Sequence, residues 1–284
     1  MITSSINSKT ELYCVLGSPV RHSVSPVIHN AAFAEAGINA VYLAFEPPSI
    51  GDAIASMKAL SIRGASVTIP FKIEAISHCD SVDSLAAEIG SVNTLVNRNG
   101  RISGFNTDGY GALRALQQAN IPIGGSRCLI IGNGGSARAI AFTLAAEGAS
   151  VMIAGRDGTR IGRLVDDLRA AGHASDSMLL RDLDRRHMED IDTIINATPV
   201  GMQPDIDSAP IDLDLISSRH AVFDIVYAPH MTRLLDAARL CGAAAVHGID
   251  MLVFQGARQF EIWTDVQAPV EAMRRALNDH LRQQ

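Results

Sequence analysis

The chain has no long apolar run. Its apolar runs, such as Leu129-Ile130-Ile131, end after a few residues. A helix crossing a bilayer needs roughly 20, so no membrane partner is expected. The N-terminal stretch MITSSINSKTEL has no apolar segment behind a basic start, and a secretory leader is not expected either. Cysteine is sparse: Cys14, Cys79, Cys128 and Cys241 lie far apart and form no C-x-x-C pair. That spacing fits free thiols in a reducing compartment, which points to the cytoplasm. The histidines lack metal-ligand spacing, so no metal is expected. Positive charge is not in excess. The formal net charge of -6 speaks against nucleic acid as main partner, because neutralising phosphates takes a basic surface. Repeats and low-complexity segments are missing too. What is present is 284 residues, 47% of them hydrophobic, enough for two soluble domains with a core each.

The first hundred residues alternate β-rich and amphipathic stretches. Leu12 to Gly17, Val41 to Glu46 and Gly64 to Thr68 read as strands. A helix is expected from Ser25-Pro26, with Ser25 as N-cap and Pro26 at the first helical position, to a stop at Gly37. Another is expected over Ile50 to Leu60. Strands separated by helices of this length imply βαβ units and a mostly parallel sheet. Asp108 through Ala119 reads as a helix, broken by Ile121-Pro122-Ile123-Gly124-Gly125. A second βαβ series begins at Arg127, with further strands at Asp192 to Asn196 and Ala221 to Ile225. The main boundary falls near 107–125. Two final helices, about Gly248 to Trp263 and Ala268 to Leu281, fit either domain by pattern.

Gly132-Asn133-Gly134-Gly135-Ser136-Ala137 fits G-x-G-x-x-A, the alanine-ended dinucleotide fingerprint. Glycines let backbone amides approach a pyrophosphate, and the following helix turns its positive end toward it. An apolar strand precedes the turn, a helix follows, and a second strand ends near Gly155, as such a site requires. At that strand end an acidic side chain favours the ribose hydroxyls of NAD, whereas arginine favours the 2′-phosphate of NADP. Arg156, Asp157 and Arg160 supply both. If Asp157 merely caps the next helix, the arginines decide and NADP is expected.

Three further stretches are too polar for ordinary loops: Ser23-Val24-Ser25-Pro26, Thr68-Ile69-Pro70-Phe71-Lys72, and Ser91-Val92-Asn93-Thr94 with Asn106-Thr107-Asp108-Gly109. Each lies where a strand ends or a helix begins, the usual place for ligand groups in open α/β sheets. Read singly, Lys72 would be a surface lysine and Asp108 a helix N-cap. His22 beside the serines could suggest Ser/His chemistry, but no nucleophile-elbow sequence accompanies it.

The order S-x-S-P, V-T-x-P-F-K, V-N-T, N-T-D-G, G-x-G-G-x-x-R and G-x-x-M-L-V-x-Q resembles the shikimate/quinate dehydrogenase family, from about Tyr13 to the C-terminal helices. The resemblance implies an α/β fold: an N-terminal substrate domain over 1–107, completed by about 249–284, and a Rossmann-type NADP domain over 108–248. It implies reversible reduction of 3-dehydroshikimate to shikimate, within aromatic amino acid and chorismate biosynthesis. Ser23 and Ser25 would hold the substrate carboxylate. Thr68, Asn93, Asp108 and Gln255 would bind its ring hydroxyls. Lys72 and Asp108 would be the catalytic pair and would themselves touch substrate. Gly132, Asn133, Gly134, Gly135, Ser136 and Arg138 would lie at the cofactor phosphates, with Arg156, Asp157 and Arg160 at the adenosine end. Thr198, Ile225, Tyr227 and Gly248 would surround the nicotinamide and the mouth of the cleft, with Tyr227 touching substrate.

Some positions depart from the common family pattern. Asn133 stands where alanine is usual, and Gly155-Arg156-Asp157 replaces the Asn-Arg-Thr of NADP-using members, so NAD stays open. Ser25 favours shikimate, since quinate-preferring relatives often carry threonine there. The rivals are an NAD-dependent quinate or aminoshikimate dehydrogenase and a non-catalytic dinucleotide sensor. A small molecule is the expected partner, and a monomer or homodimer the expected assembly.

Overall fold

The computed structural model describes residues 6–283. The first five residues of the stretch on which the leader expectation rests lie outside it. The chain divides into two compact units. One runs through Thr107 and resumes at Val253, and the other spans Asp108–Leu252.

The first unit is built on β1 (Glu11–Leu16), α1 (Ser25–Glu35), β2 (Ala40–Phe45), α2 (Ile50–Ala59), β3 (Gly64–Val67), β4 (Ser81–Val82), α3 (Ser84–Ile89), β5 (Thr94–Arg98) and β6 (Arg101–Phe105). Its sheet has the order β2-β1-β3-β5-β6-β4. β1 lies parallel between β2 and β3 with Tyr13 opposite Tyr42 and Cys14 opposite Ala65. Both faces of β1 are covered, which explains a strand apolar almost throughout. The sheet is mostly parallel, as expected, with one strand reversed. β5 pairs antiparallel with both β3 and β6, through a hairpin whose turn residues Asn99 and Gly100 have φ of 53° and 82°. Two left-handed residues make the turn whose twist suits a two-residue hairpin, and Asn-Gly is its preferred sequence. Ile50, Met57, Leu95 and Ile102 are fully buried in this unit's core.

The second unit comprises α4 (Asp108–Gln118), β7 (Arg127–Ile131), α5 (Gly135–Ala146), β8 (Ser150–Gly155), α6 (Gly158–Ala170), β9 (Ser175–Leu179), α7 (Arg185–Met188), β10 (Thr193–Asn196), β11 (Ala221–Asp224), α8 (Arg233–Cys241) and β12 (Ala244–His247). Its sheet has the order β12-β11-β10-β7-β8-β9, parallel throughout. Strand order therefore reverses between β7 and β10. In doubly wound sheets that switch point opens a crevice beyond the strands' carboxyl ends.

The unit boundary falls inside α9 (Gly248–Thr264), and α10 (Val270–Leu281) follows. Gln259 and Trp263, four residues apart and so on one face of α9, fasten it to the first unit's sheet. Gln259 Nε2 donates to Asn93 O and Thr94 Oγ1, each at 3.0 Å, and Trp263 Nε1 donates to Leu95 O at 3.0 Å. The Gln259 carbonyl accepts from Ser66 Oγ at 2.7 Å, and Ser66 accepts from Tyr42 OH at 2.6 Å. From Val253 onward the C-terminal helices thus belong to the first unit. Among the described residues no helix is long and apolar enough to cross a membrane.

Candidate active site

In the first unit the polar stretches follow the carboxyl ends of β1 and β3. Gly17, next after β1, has its Cα so close to the loop after β3 that a Cβ there would overlap Thr68 Cγ2 and come within 3.1 Å of Ile69 O. Ser18 N–H donates to Ile69 O at 3.0 Å, and Phe71 N–H to Thr68 O at 2.9 Å. Phe71 plugs into the core, which leaves Thr68 and Lys72 half-buried on either side of it. The Lys72 carbonyl accepts from Val92 N–H at 2.8 Å, so the lysine's backbone is tied to the segment carrying Asn93.

The serines hold a different position from the one expected. Val24 is the N-cap of α1, and Ser25 is its first helical residue, ahead of Pro26. Proline is tolerated within the first turn, where no intrahelical N–H bond is lost. No side chain caps this helix. Ser23 Oγ donates to Ser25 Oγ at 3.2 Å and accepts from Ser25 N–H at 3.3 Å. Two hydroxyls at the positive end of a helix form a natural seat for a carboxylate.

Asn93 is 2% exposed and is the hub of this unit's polar cluster. Its Oδ1 accepts from Thr107 N–H at 2.8 Å and from Thr94 Oγ1 at 2.7 Å. Its Nδ2 donates to Thr107 Oγ1 at 3.1 Å and to Gln255 Oε1 at 3.4 Å. Asn93 and Gln255, singled out from sequence, are thus in contact. Thr107 was only part of a motif and proves to be the buried link.

In the second unit the fingerprint turn joins β7 to α5 at the switch point. Gly132 has φ of 120°, and a Cβ there would lie 3.0 Å from Ala197 O and 3.1 Å from Thr198 Cγ2. Only glycine fits such a backbone between two loops. Gly134 is the N-cap of α5, with no side-chain cap, so the helix presents its amide end over open backbone. Asp108 opens α4 at 4% exposure and accepts a hydrogen bond from Ser136 Oγ at 3.0 Å. This links the sequence-predicted carboxylate to the fingerprint turn.

Asp157 is the N-cap of α6 and accepts from Thr159 and Arg160 N–H. Its carboxylate also lies 3.4 Å from the Arg160 guanidinium, an exposed pair of small energetic weight. Arg156 is exposed beside it. Arg138 pairs with Asp167 of α6 at 2.9 Å with its side chain 16% exposed, and it lies over the Phe142 ring. It therefore braces α5 against α6.

At the end of β10, Thr198 Oγ1 donates to Asn196 Oδ1 at 2.7 Å. Asn196 Nδ2 donates to Asp224 Oδ1 at 2.9 Å, Val226 N–H to the same oxygen at 3.0 Å, and Thr232 Oγ1 to Asp224 Oδ2 at 2.6 Å. Burial pushes the Asp224 carboxyl upward against these bonds, which pull it down. Sequence reasoning passed over Asn196 and Asp224. The available signal was a polar residue ending each of two apolar strands, TIIN and AVFD. A Cβ on Gly248 would sit 2.6 Å from the Ile225 carbonyl carbon, so these two predicted residues touch. Tyr227 is half-buried, and desolvation raises its phenol above the usual range.

A six-stranded parallel sheet with a glycine turn at its switch point is a Rossmann-type fold, the architecture of dinucleotide-dependent oxidoreductases. Three family descriptions match along the chain: "Shikimate dehydrogenase substrate binding domain" over 15–95, "Shikimate / quinate 5-dehydrogenase" over 115–206, and "Shikimate 5'-dehydrogenase C-terminal domain" over 248–277. The chain is 43% identical to the shikimate dehydrogenase (NADP(+)) of Moorella thermoacetica, covering 96% of this chain and 95% of that one. A crystal structure of a shikimate dehydrogenase with NADP+ is similar at 39% identity and a TM-score of 0.92, covering 98% of both chains. The Thermus thermophilus shikimate 5-dehydrogenase, solved with NADP(H) and shikimate, is similar at 32% identity and a TM-score of 0.86, over 95% of this chain and 99% of that one. The chain belongs to the shikimate dehydrogenase family.

Proposed function

We propose that the chain catalyses the NADP-dependent, reversible reduction of 3-dehydroshikimate to shikimate, with the first unit binding substrate and the second binding NADP. The observation that carries the cofactor choice is the N-cap role of Asp157. Its oxygens are engaged by backbone amides of α6 and by Arg160, so two arginines against one carboxylate leave the local charge positive, toward a 2′-phosphate. The fingerprint turn fits a pyrophosphate: Gly132 is sterically obligatory, and α5 begins without a side-chain cap. Gly132, Asn133, Gly134, Gly135 and the backbone amide of Ser136 would hold the phosphates, with Thr198, Ile225 and Gly248 toward the nicotinamide. Arg138 would contribute to the phosphate end through its charge while bracing α5.

Bound NADPH supplies the hydride. The chain's own residues orient the ketone and manage one proton. Ser23 and Ser25, at the N-terminus of α1, would grip the substrate carboxylate. Thr68, Asn93, Gln255 and Tyr227 would bind the ring's oxygens. Lys72 would stabilise negative charge growing on the carbonyl oxygen and deliver its proton there. Asp108 would accept a hydrogen bond from that same oxygen once protonated, holding it in register. A reducing cytoplasm suits the four free cysteines.

Initial rates with shikimate and quinate against NADP and NAD, followed at the reduced-nicotinamide absorbance, test the assignment. Shikimate with NADP should give the highest kcat/KM. A higher value for quinate with NAD would overturn both choices, and no turnover with any pair would favour a dinucleotide sensor.

A further inference from the structure

The dinucleotide turn requires only a small side chain and a backbone amide at position 136, and alanine would provide both. The hydroxyl that stands there instead has a partner of its own. Ser136 is the second residue of α5, and its Oγ donates to Asp108 Oδ2 at 3.0 Å. The two helices that carry these residues are locked together at the next position. A Cβ on Gly109 would lie 2.7 Å from Ala139 O on α5 and would overlap Thr143, so α4 and α5 are in backbone contact one residue from the carboxylate. Asp108 is therefore a buried carboxylate at a fixed helix start, with a donor on one oxygen.

We infer that Ser136 is a positioning residue for Asp108: it fixes the plane of the carboxylate and ties its orientation to the turn that takes the cofactor phosphates. A hydrogen bond to an ionised acceptor is stronger than a neutral one, and at this burial water does not readily replace it. Without the hydroxyl the carboxylate loses one of the bonds that set its plane. Near-attack geometry tolerates little misorientation. The inference rests on the proposed catalytic role of Asp108.

The test is a double-mutant cycle on the full-length enzyme, with kcat measured at saturating NADP and shikimate, and KM for NADP by varying NADP at saturating shikimate, for Ser136→Ala, Asp108→Ala and the double variant. Ser136→Ala should lower kcat about tenfold and change KM for NADP less than about twofold. In the Asp108→Ala background the same change should lower kcat less than about twofold, because the group it acts through is gone. Unchanged kcat in Ser136→Ala, or the same tenfold loss in both backgrounds, would overturn the positioning role. A rise in KM for NADP with kcat retained would do so too, since it would mark Ser136 as a cofactor contact alone. If Asp108→Ala itself turns over like wild type, the catalytic reading of Asp108 is what fails.

Discussion

Lowering the pH should weaken the first unit through one histidine. His29, on α1, is fully buried. Its ring stacks on Tyr42 at 4.5 Å with 15° between planes and lies 5.1 Å from the Trp263 ring. Neither ring nitrogen reaches hydrogen-bonding geometry with a partner. Gln259 lies near enough to favour the charged form slightly, but burial dominates and drives the imidazole down to about 3. An unfolded histidine titrates near 6.5. Between these values the unfolded chain binds a proton that the folded chain refuses, so stability falls as pH falls. The loss is about 1.4 kcal/mol per pH unit, or about 2 kcal/mol at pH 5 relative to pH 8. His29→Phe keeps a ring for the stack and removes the titration. Urea unfolding at pH 8, 7, 6 and 5 would be followed by the fluorescence of Trp263, the chain's single tryptophan, which reports on this unit. The wild type should lose about 2 kcal/mol more than His29→Phe over that range, other titrations cancelling in the difference. Parallel curves would refute the reasoning.

Other substitutions test the remaining parts. Lys72→Ala should lower kcat by roughly 10²–10⁴-fold, while calorimetry still detects shikimate binding; unchanged turnover would remove the lysine from the mechanism. Gly132→Ala places a Cβ at φ of 120° against Ala197 O and should cost about 1–3 kcal/mol in the second unit, together with a rise in KM for NADP. An unaltered melting temperature and KM would contradict it. Asp224→Ala leaves Asn196 Nδ2, Val226 N–H and the Thr232 hydroxyl without their common acceptor. It should cost about 3 kcal/mol. Asp224→Asn keeps an acceptor, sheds a charge that burial penalises, and should melt close to wild type. Equal losses in the two variants would show that charge, not hydrogen-bond capacity, matters at this position.

What could be read from the sequence was decided by how far apart the interacting residues lie. The segment from β7 to β8 was fully legible, because an apolar strand, a glycine turn and a periodic helix are adjacent, and the strand SVMIAG was bounded correctly at Ser150–Gly155. Asp157 had two local readings, one of them the cap that it forms. Ser25 was misplaced by one residue because proline is as acceptable at the second helical position as at the first. The β5–β6 hairpin was passed over although Asn99-Gly100 announces it. The polar residues before it, Asn93 and Thr94, were read as a ligand loop, and the strand that Thr94 starts went unnoticed. Arg138 was placed at the phosphates by resemblance alone, and its pairing with Asp167 on the next helix went unread. No spacing rule connects those two positions.

The same limit explains why the site's wiring had to come from coordinates. Gln255, Gln259 and Trp263 show an i, i+4 stripe that any helix reading would register, but not that Trp263 binds the backbone of β5, Gln259 the Asn93 carbonyl just before it, and Gln255 the Asn93 side chain. A polar residue closing an apolar strand, as in Asn196 or Asp224, signals function only once the parallel register sets β10 beside β11, with Asn196 opposite Asp224. There the two polar side chains can share a bond that neither strand predicts alone. Thr198 then hangs from Asn196 through two bonds, from its amide and its hydroxyl, which fixes the loop that faces Gly132. A buried carboxylate or an oriented loop is thus specified twice: locally by residue type, and again by a partner that the fold alone brings into place.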